Sequence, residues 1–177
     1  GSAPAEPARQ QESDAAGKPA WASEDVLMSR PAMSAALSAA NGIRLDYDDS
    51  QVIDGSGVFH FSLTNGSGAD MTPFIVIEEP SASIVSRAEA IDDKGRSYSA
   101  ADGRMSVTIG GSTMDARHRD PVFRFTSGQT VSGSVRISGL DSDASSLEIR
   151  IPLRDFDPDA YPYRRGYIII RNIPVSQ

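Results

Sequence analysis

The feature that most constrains this chain is an alternation of apolar and polar residues with a period of two, which sets in at Ile43. Ile43, Leu45 and Tyr47 alternate with charged residues, and Phe59, Phe61 and Leu63 alternate with His60, Ser62 and Thr64. Successive side chains of a strand point to opposite faces, so each such stretch is a strand with one buried face and one wet face. Further strands are expected at 74–79, 84–91, 96–99, 105–109, 122–126, 131–137, 147–151 and 167–173. Between them lie turn formers: Asn65-Gly66, the run Asp92-Asp93-Lys94-Gly95, Asp102-Gly103, Gly110-Gly111, Ser127-Gly128 and Gly139. Short strands at this spacing, with no long helical pattern among them, specify an all-β antiparallel sandwich or barrel.

The strands differ in their expected positions. The runs 74–77 and 168–170 are continuously apolar, as suits strands covered on both faces. Segments 84–91 and 96–99, joined by the DDKG run, form a hairpin. Val131, Gly133, Val135 and Ile137 share the inner face of one strand and leave Ser132, Ser134 and Arg136 to water. There is no internal repeat of fixed period.

Upstream of Ile43 the pattern changes twice. Gly1-Ser2 reads as a cloning scar. Residues 3–20 are rich in Ala, Pro, Gln and charge and hold no large apolar residue. They cannot bury enough area to offset chain entropy, so 1–20 is expected to be a disordered, flexible linker. Residues 21–42 offer Ser29 as an N-cap, Pro31 in a first turn and Asn41-Gly42 as a stop, with Met33, Ala36, Leu37 and Ala40 on one stripe. That pattern predicts a short helix, followed by a sandwich over 43–177.

Composition narrows the functions. A net charge of −7 and a pI near 4.8 lack the clustered cations that track phosphate backbones, which argues against nucleic acid as a partner. No run approaches the roughly 18 apolar residues needed to cross a bilayer. Ala/Pro/Gln-rich leaders often follow the processing site of exported bacterial proteins; an ordinary disordered terminus of a cytosolic protein is the alternative. The expected location is therefore periplasmic or extracellular, with anchoring to the outer membrane through a lipid upstream of Ala3 left open.

The strand ending Phe61-Ser62-Leu63-Thr64-Asn65, the hairpin Asp93-Lys94-Gly95-Arg96-Ser97-Tyr98, the turn Ser127-Gly128-Gln129-Thr130-Val131-Ser132-Gly133 and the late Leu147-Glu148-Ile149-Arg150-Ile151 resemble the telokin-like immunoglobulin-fold domains of exported bacterial proteins. The resemblance covers roughly 43–151. It implies an immunoglobulin-like sandwich behind a signal peptide or lipoprotein linker, carries over no catalytic residue, and leaves the segment before Ile43 and the extension 152–177 outside the pattern.

Catalytic chemistry is sparse. There is no cysteine, and the two histidines are His60 on the polar face of a strand and His118 in a charged loop. A histidine needs a partner that orients it before it acts as a base, and no serine elbow or zinc-binding helix motif occurs. The glycines of DGSGVF and NGSGAD precede no helix, so they lack the free N–H groups that hold phosphate. Asn65-Gly66-Ser67 matches a glycosylation sequon but reads as a tight turn, and the pairs Asp48-Asp49 and Asp92-Asp93 read as solvated residues at strand ends. The expectation is a protein that is no enzyme and carries no cofactor.

The remaining candidate is the stretch DFDPDAYPYRRG from Asp155 to Gly166. Asp155, Asp157 and Asp159 are spaced like the start of a calcium loop, but the sixth position is Ala160 and the twelfth is Gly166, where such loops need Gly and Glu. A metal site would need further carboxylates, and Asp141 and Asp143 could supply them. Tyr161, Tyr163, Arg164 and Arg165 are residue types that dominate protein-binding hot spots. A third reading pairs the aspartates with Arg154, Arg164 and Arg165 while the tyrosines cap the sandwich edge. The function expected is a protein-interaction or structural module of an exported envelope protein. A calcium-dependent adhesion-type domain and a hydrolase with an unrecognised site stay open as alternatives.

Overall fold

The computed structural model describes residues 26–29, 36–37, 42–80, 85–154 and 165–175. Its strands are β1 (Val26–Ser29), β2 (Ala36–Leu37), β3 (Ile43–Ile53), β4 (Ser56–Asn65), β5 (Phe74–Ile75), β6 (Glu78–Pro80), β7 (Val85–Arg87), β8 (Glu89–Asp92), β9 (Ser97–Ser99), β10 (Met105–Ile109), β11 (Ser112–Met114), β12 (Thr130–Ile137), β13 (Ser146–Arg154) and β14 (Arg165–Pro174). One sheet runs β11-β10-β12-β4-β3. The other runs β2-β1-β14-β13-β8-β9, with β5 also paired to β13, and β6 and β7 form a separate ribbon. Every pairing is antiparallel except that of β1 with β14. Among the described residues there is no helix, and so none long and apolar enough to cross a membrane.

The two sheets face each other across one hydrophobic core, and the alternation in the sequence shows which side of each strand is inside. On β4, Phe59, Phe61 and Leu63 are buried, and on β12 so are Val131, Val135 and Ile137, while Ser132 and Arg136 are exposed. The facing sheet contributes Leu147, Ile149, Ile151 and Leu153 of β13 and Ile168, Ile170 and Ile173 of β14. Ile169 is buried as well, so the apolar run 168–170 is covered on both faces as expected. Gly133 lies directly across from Phe61, and a Cβ there would collide with the Phe61 ring. That glycine is where an inward side chain would otherwise stand, and the aromatic ring fills its place.

Several expectations change. Residues 26–29 and 36–37, placed within the predicted helical segment, are strands. β1 runs alongside β14, and β2 pairs back onto β1. The open edge of β14 supplies a row of unpaired backbone groups to an apolar Val-Leu-Met run, and pairing there outweighs a helix that had only a thin apolar stripe. The linker 1–20, the first part of the helical segment and residues 30–35 and 38–41 lie outside the described residues. The strand predicted over 122–126 reduces to two isolated bridges, Met71 with Phe125 and Phe74 with Val122. The long strand over 84–91 is split at Ala88, whose N–H binds the Ile77 carbonyl and whose carbonyl accepts the Ala100 N–H. β11, which the alternation did not reveal, follows the tight Gly110-Gly111 turn.

The acidic pairs also differ from their reading. Asp48 sits at a bulge in the middle of β3, where the register shifts between Tyr47 and Asp49. Asp46, Asp48 and Asp49 thus place charge and an irregularity on an edge strand, the arrangement that discourages edge-to-edge pairing with another chain. The glycine of DGSGVF serves the two-residue hairpin turn between β3 and β4, with Asp54 at φ 52° and Gly55 at φ 78°.

Candidate functional site

Of the binding residues expected from the sequence, Tyr161, Tyr163 and Arg164 lie outside the described residues, as do the metal candidates Asp155, Asp157 and Asp159. Arg165 opens β14, and its backbone is the cross-strand partner of Arg154 at the end of β13. Residues 155–164 therefore connect two antiparallel neighbours. Asp141 and Asp143 are engaged elsewhere, on Arg96. No group of three or more His, Cys, Asp or Glu that could hold a metal ion occurs among the described residues. His60 stands on the exposed face of β4 across from Ser134. His118 is exposed, with Nδ1 2.9 Å from Asp115 Oδ1.

Among the described residues, a dense set of polar contacts lies at the β8–β9 hairpin. Asp92 ends β8 with its side chain fully buried. Its Oδ1 accepts the N–H groups of Lys94 and Arg96, each at 2.9 Å, and its Oδ2 accepts Arg96 Nε at 2.7 Å and the Tyr98 hydroxyl at 2.8 Å. Burial pushes the Asp92 carboxyl up, yet the Arg96 backbone and side chain, the Tyr98 hydroxyl and the Lys94 N–H together hold it below the usual carboxylate range. The same Arg96 reaches Asp143 at 2.6 Å and Asp141 at 3.3 Å. Tyr98, itself buried, accepts the Asp141 N–H at 3.2 Å and lies 3.1 Å from Asp141 Oδ2. Burial, chiefly, raises its hydroxyl to about 12. Beside them, the Ser145 N–H and hydroxyl draw Asp93 down to about 2. The hairpin and the loop before β13 are thus pinned together by charge-assisted hydrogen bonds.

Next to this junction, at the end of the five-stranded sheet, is an open cleft of about 400 Å³. Its walls come from the start of β10 (Met105, Ser106), the end of β12 (Arg136, Ile137), the start of β4 (Ser56 to Val58) and the turn after β11 (Asp115 to Arg117), closed by Arg104 and Ser138. Ser106, Arg136 and Val58 form one row across three strands. Arg104, Arg117 and Arg136 are all exposed, and no carboxylate among the described residues pairs with any of them. The guanidinium of Arg104 rests over the Tyr98 ring, 5.8 Å from its centroid, a contact that orients it and leaves its charge in place. Asp115, the one carboxylate of the lining, spends its Oδ1 on the N–H groups of Arg117 and His118, both at 2.8 Å, and on the His118 ring. The His118 ring first, and the Arg117 N–H second, hold its carboxyl down.

Two residues that the sequence presents as ordinary turn formers, Asn65 and Asp92, are buried and hydrogen-bonded. Asn65 is fully buried; its Nδ2 donates to the carbonyls of Ala69 and Phe125, and its Oδ1 accepts from the Ser67 N–H and hydroxyl. Its backbone also joins the Ser127–Gln129 turn through Gln129 and Gly128. With both amide hydrogens in use, Asn65 is a structural hub and not an exposed sequon. Asp92 was the other. A charged residue inside the pattern of a strand is the one signal that could have marked it. The arginines of the cleft stand far apart in sequence, so no local spacing announces them.

The fold and its contacts define a two-sheet β-sandwich with an ionic junction at the β8–β9 hairpin and an arginine-lined cleft beside it. No protein-family model matches the chain. No curated protein matches it. Among solved structures, the N-terminal domain of PorA is similar with a TM-score of 0.36 and 13% identity, over 71% of this chain and 83% of that one. Self-complemented MyfA, the major subunit of Myf fimbriae from Yersinia enterocolitica, in complex with galactose, is similar with a TM-score of 0.40 and 9% identity, over 75% of this chain and 99% of that one. The CooA pilin subunit from enterotoxigenic Escherichia coli gives 0.33 and 7%, over 84% and 89%.

Proposed function

We propose that this chain is a non-catalytic interaction module of an exported bacterial envelope protein, built on an immunoglobulin-like sandwich of the telokin-like type and working in the periplasm or outside the cell. Its partner is a protein, met through Tyr161, Tyr163, Arg164 and Arg165. The observation that carries this reading is the pairing of Arg154 with Arg165. The stretch holding those side chains joins two strands on which Leu153 and Ile168 are buried, so the strands it connects are anchored in the sandwich. Connections carried on rigid elements are where binding residues concentrate. The non-catalytic part rests on the sequence, which holds no cysteine and only two histidines, far apart in the chain. The telokin-like part is supported by the contact between two of its motifs, Asn65 at a strand end and Gly128-Gln129 in the late turn.

The test is the combined variant Tyr161→Ala, Tyr163→Ala, Arg165→Ala in a cross-linking pull-down from envelope extract, alongside its thermal melt. The expected result is loss of a captured protein with Tm unchanged. A large fall in Tm would assign these side chains to the sandwich edge and remove the reading.

A further inference from the structure

We propose that the cleft between Arg104, Arg117 and Arg136 binds an oxyanion, the phosphate or sulfate group of a small ligand. This does not depend on the 155–164 stretch, which leaves β13 at the end away from the loop that follows Ser138. The chain carries a net charge of −7, yet this one concavity is lined by three arginines and a single carboxylate, and that carboxylate is bound to its own turn. A concave wall of one sign focuses potential and raises the local concentration of the opposite charge. Guanidinium groups present several donors in a planar fork that matches the oxygens of phosphate and sulfate. Ser106 and Ser138 add hydroxyl groups to the same wall.

The frame is also rigid, as a binding site for a compact group requires. Arg136 sits on β12 between two paired neighbours. Arg104 donates its N–H to Ser99 and accepts from Ser138 through its carbonyl, at 3.0 and 2.9 Å. Arg117 lies in a turn closed by reciprocal hydrogen bonds between Asp115 and His118. Three guanidiniums carried on fixed backbone favour a group with several oxygens and two charges over a monocarboxylate. The volume of about 400 Å³ suits a small molecule or the end of a larger one.

The probes are inorganic phosphate, inorganic sulfate and acetate, each titrated at constant ionic strength against chloride and followed by Tm and by backbone amide chemical shifts. Phosphate and sulfate are expected to raise Tm saturably, acetate much less, with the shift changes centred on Ser106, Arg117, Arg136 and Ser138. The variant Arg104→Gln, Arg117→Gln, Arg136→Gln is expected to weaken phosphate by about ten-fold or more, with Tm in chloride unchanged. Should that variant fold poorly, the shift map of the unaltered protein decides alone. No effect of phosphate beyond chloride, or shift changes centred elsewhere on the molecule, would overturn the proposal.

Discussion

The β8–β9 junction and the neighbouring cleft use arginine in opposite ways, although one tyrosine touches both. Arg96 is held by Asp92, Asp141 and Asp143, and the hydrogen bonds to Asp143 and then to Asp92 raise its pKa further above its already high ordinary value. Arg104 has the Tyr98 ring beneath its guanidinium, and no carboxylate among the described residues pairs with it. The difference is one of surroundings. A buried carboxylate such as Asp92 must be neutralised and hydrogen-bonded, and Arg96 does that. At the cleft, no buried charge among the described residues demands a partner, and the guanidiniums of Arg104, Arg117 and Arg136 stay exposed. An arginine saturated by its own protein is a staple, and one left unpaired on a rigid wall is available for binding.

Four experiments test this contrast. The largest effect is expected from Asp92→Ala, which strands two backbone N–H groups and the Tyr98 hydroxyl; urea unfolding should show a loss of about 3 kcal/mol. A loss under about 1 kcal/mol would mean the junction is not the staple described. Tyr98→Phe removes the hydroxyl that spans Asp92 and Asp141 and should cost about 1–2 kcal/mol. The same variant keeps the ring under Arg104, so phosphate binding at the cleft should persist.

Stability against pH gives a third comparison. Asp92, Asp93 and Asp115 have folded-state pKa values held below the ordinary carboxylate value of 3.8. The stability they contribute is fully present above that value and is lost as pH falls through the lowered ones, down to about 2 for Asp93. For Tyr98 the sign reverses: its folded pKa is raised from 10.0 to about 12, so its contribution is present below pH 10.0 and lost as pH rises through about 12. Unfolding free energy should therefore fall at both extremes, and Asp92→Asn should flatten the acid limb. An unchanged acid limb in that variant would remove Asp92 from the account. The smallest effect is expected at the cleft, where Arg136→Gln should alter stability by less than about 0.5 kcal/mol.

Much of the fold was legible in the sequence because one rule governs most of it. Alternation assigned Phe59, Phe61, Leu63, Val131, Val135 and Ile137 to the core, and each is buried. The DDKG run is a hairpin turn as read, but its first aspartate is buried instead of solvated. The N-terminal segment was misread for a related reason: Ser29, Pro31 and Gly42 are local helix signals, while the strand that captures Val26–Ser29 lies some 140 residues away in β14. Local propensity cannot see such an edge.

Local patterning accounts for most of the longer strands, their inward faces and most turns, because period-two alternation and turn chemistry act between near neighbours. Which strands pair, that β1 joins β14, and which charges meet follow from the folded arrangement. Asp92, Arg96, Tyr98, Asp141 and Asp143 converge across the hairpin and the loop before β13, and Arg104, Arg117 and Arg136 arrive at one cleft from three separate segments. Electrostatics depends on distance in space, and strand pairing between remote parts of the chain sets that distance.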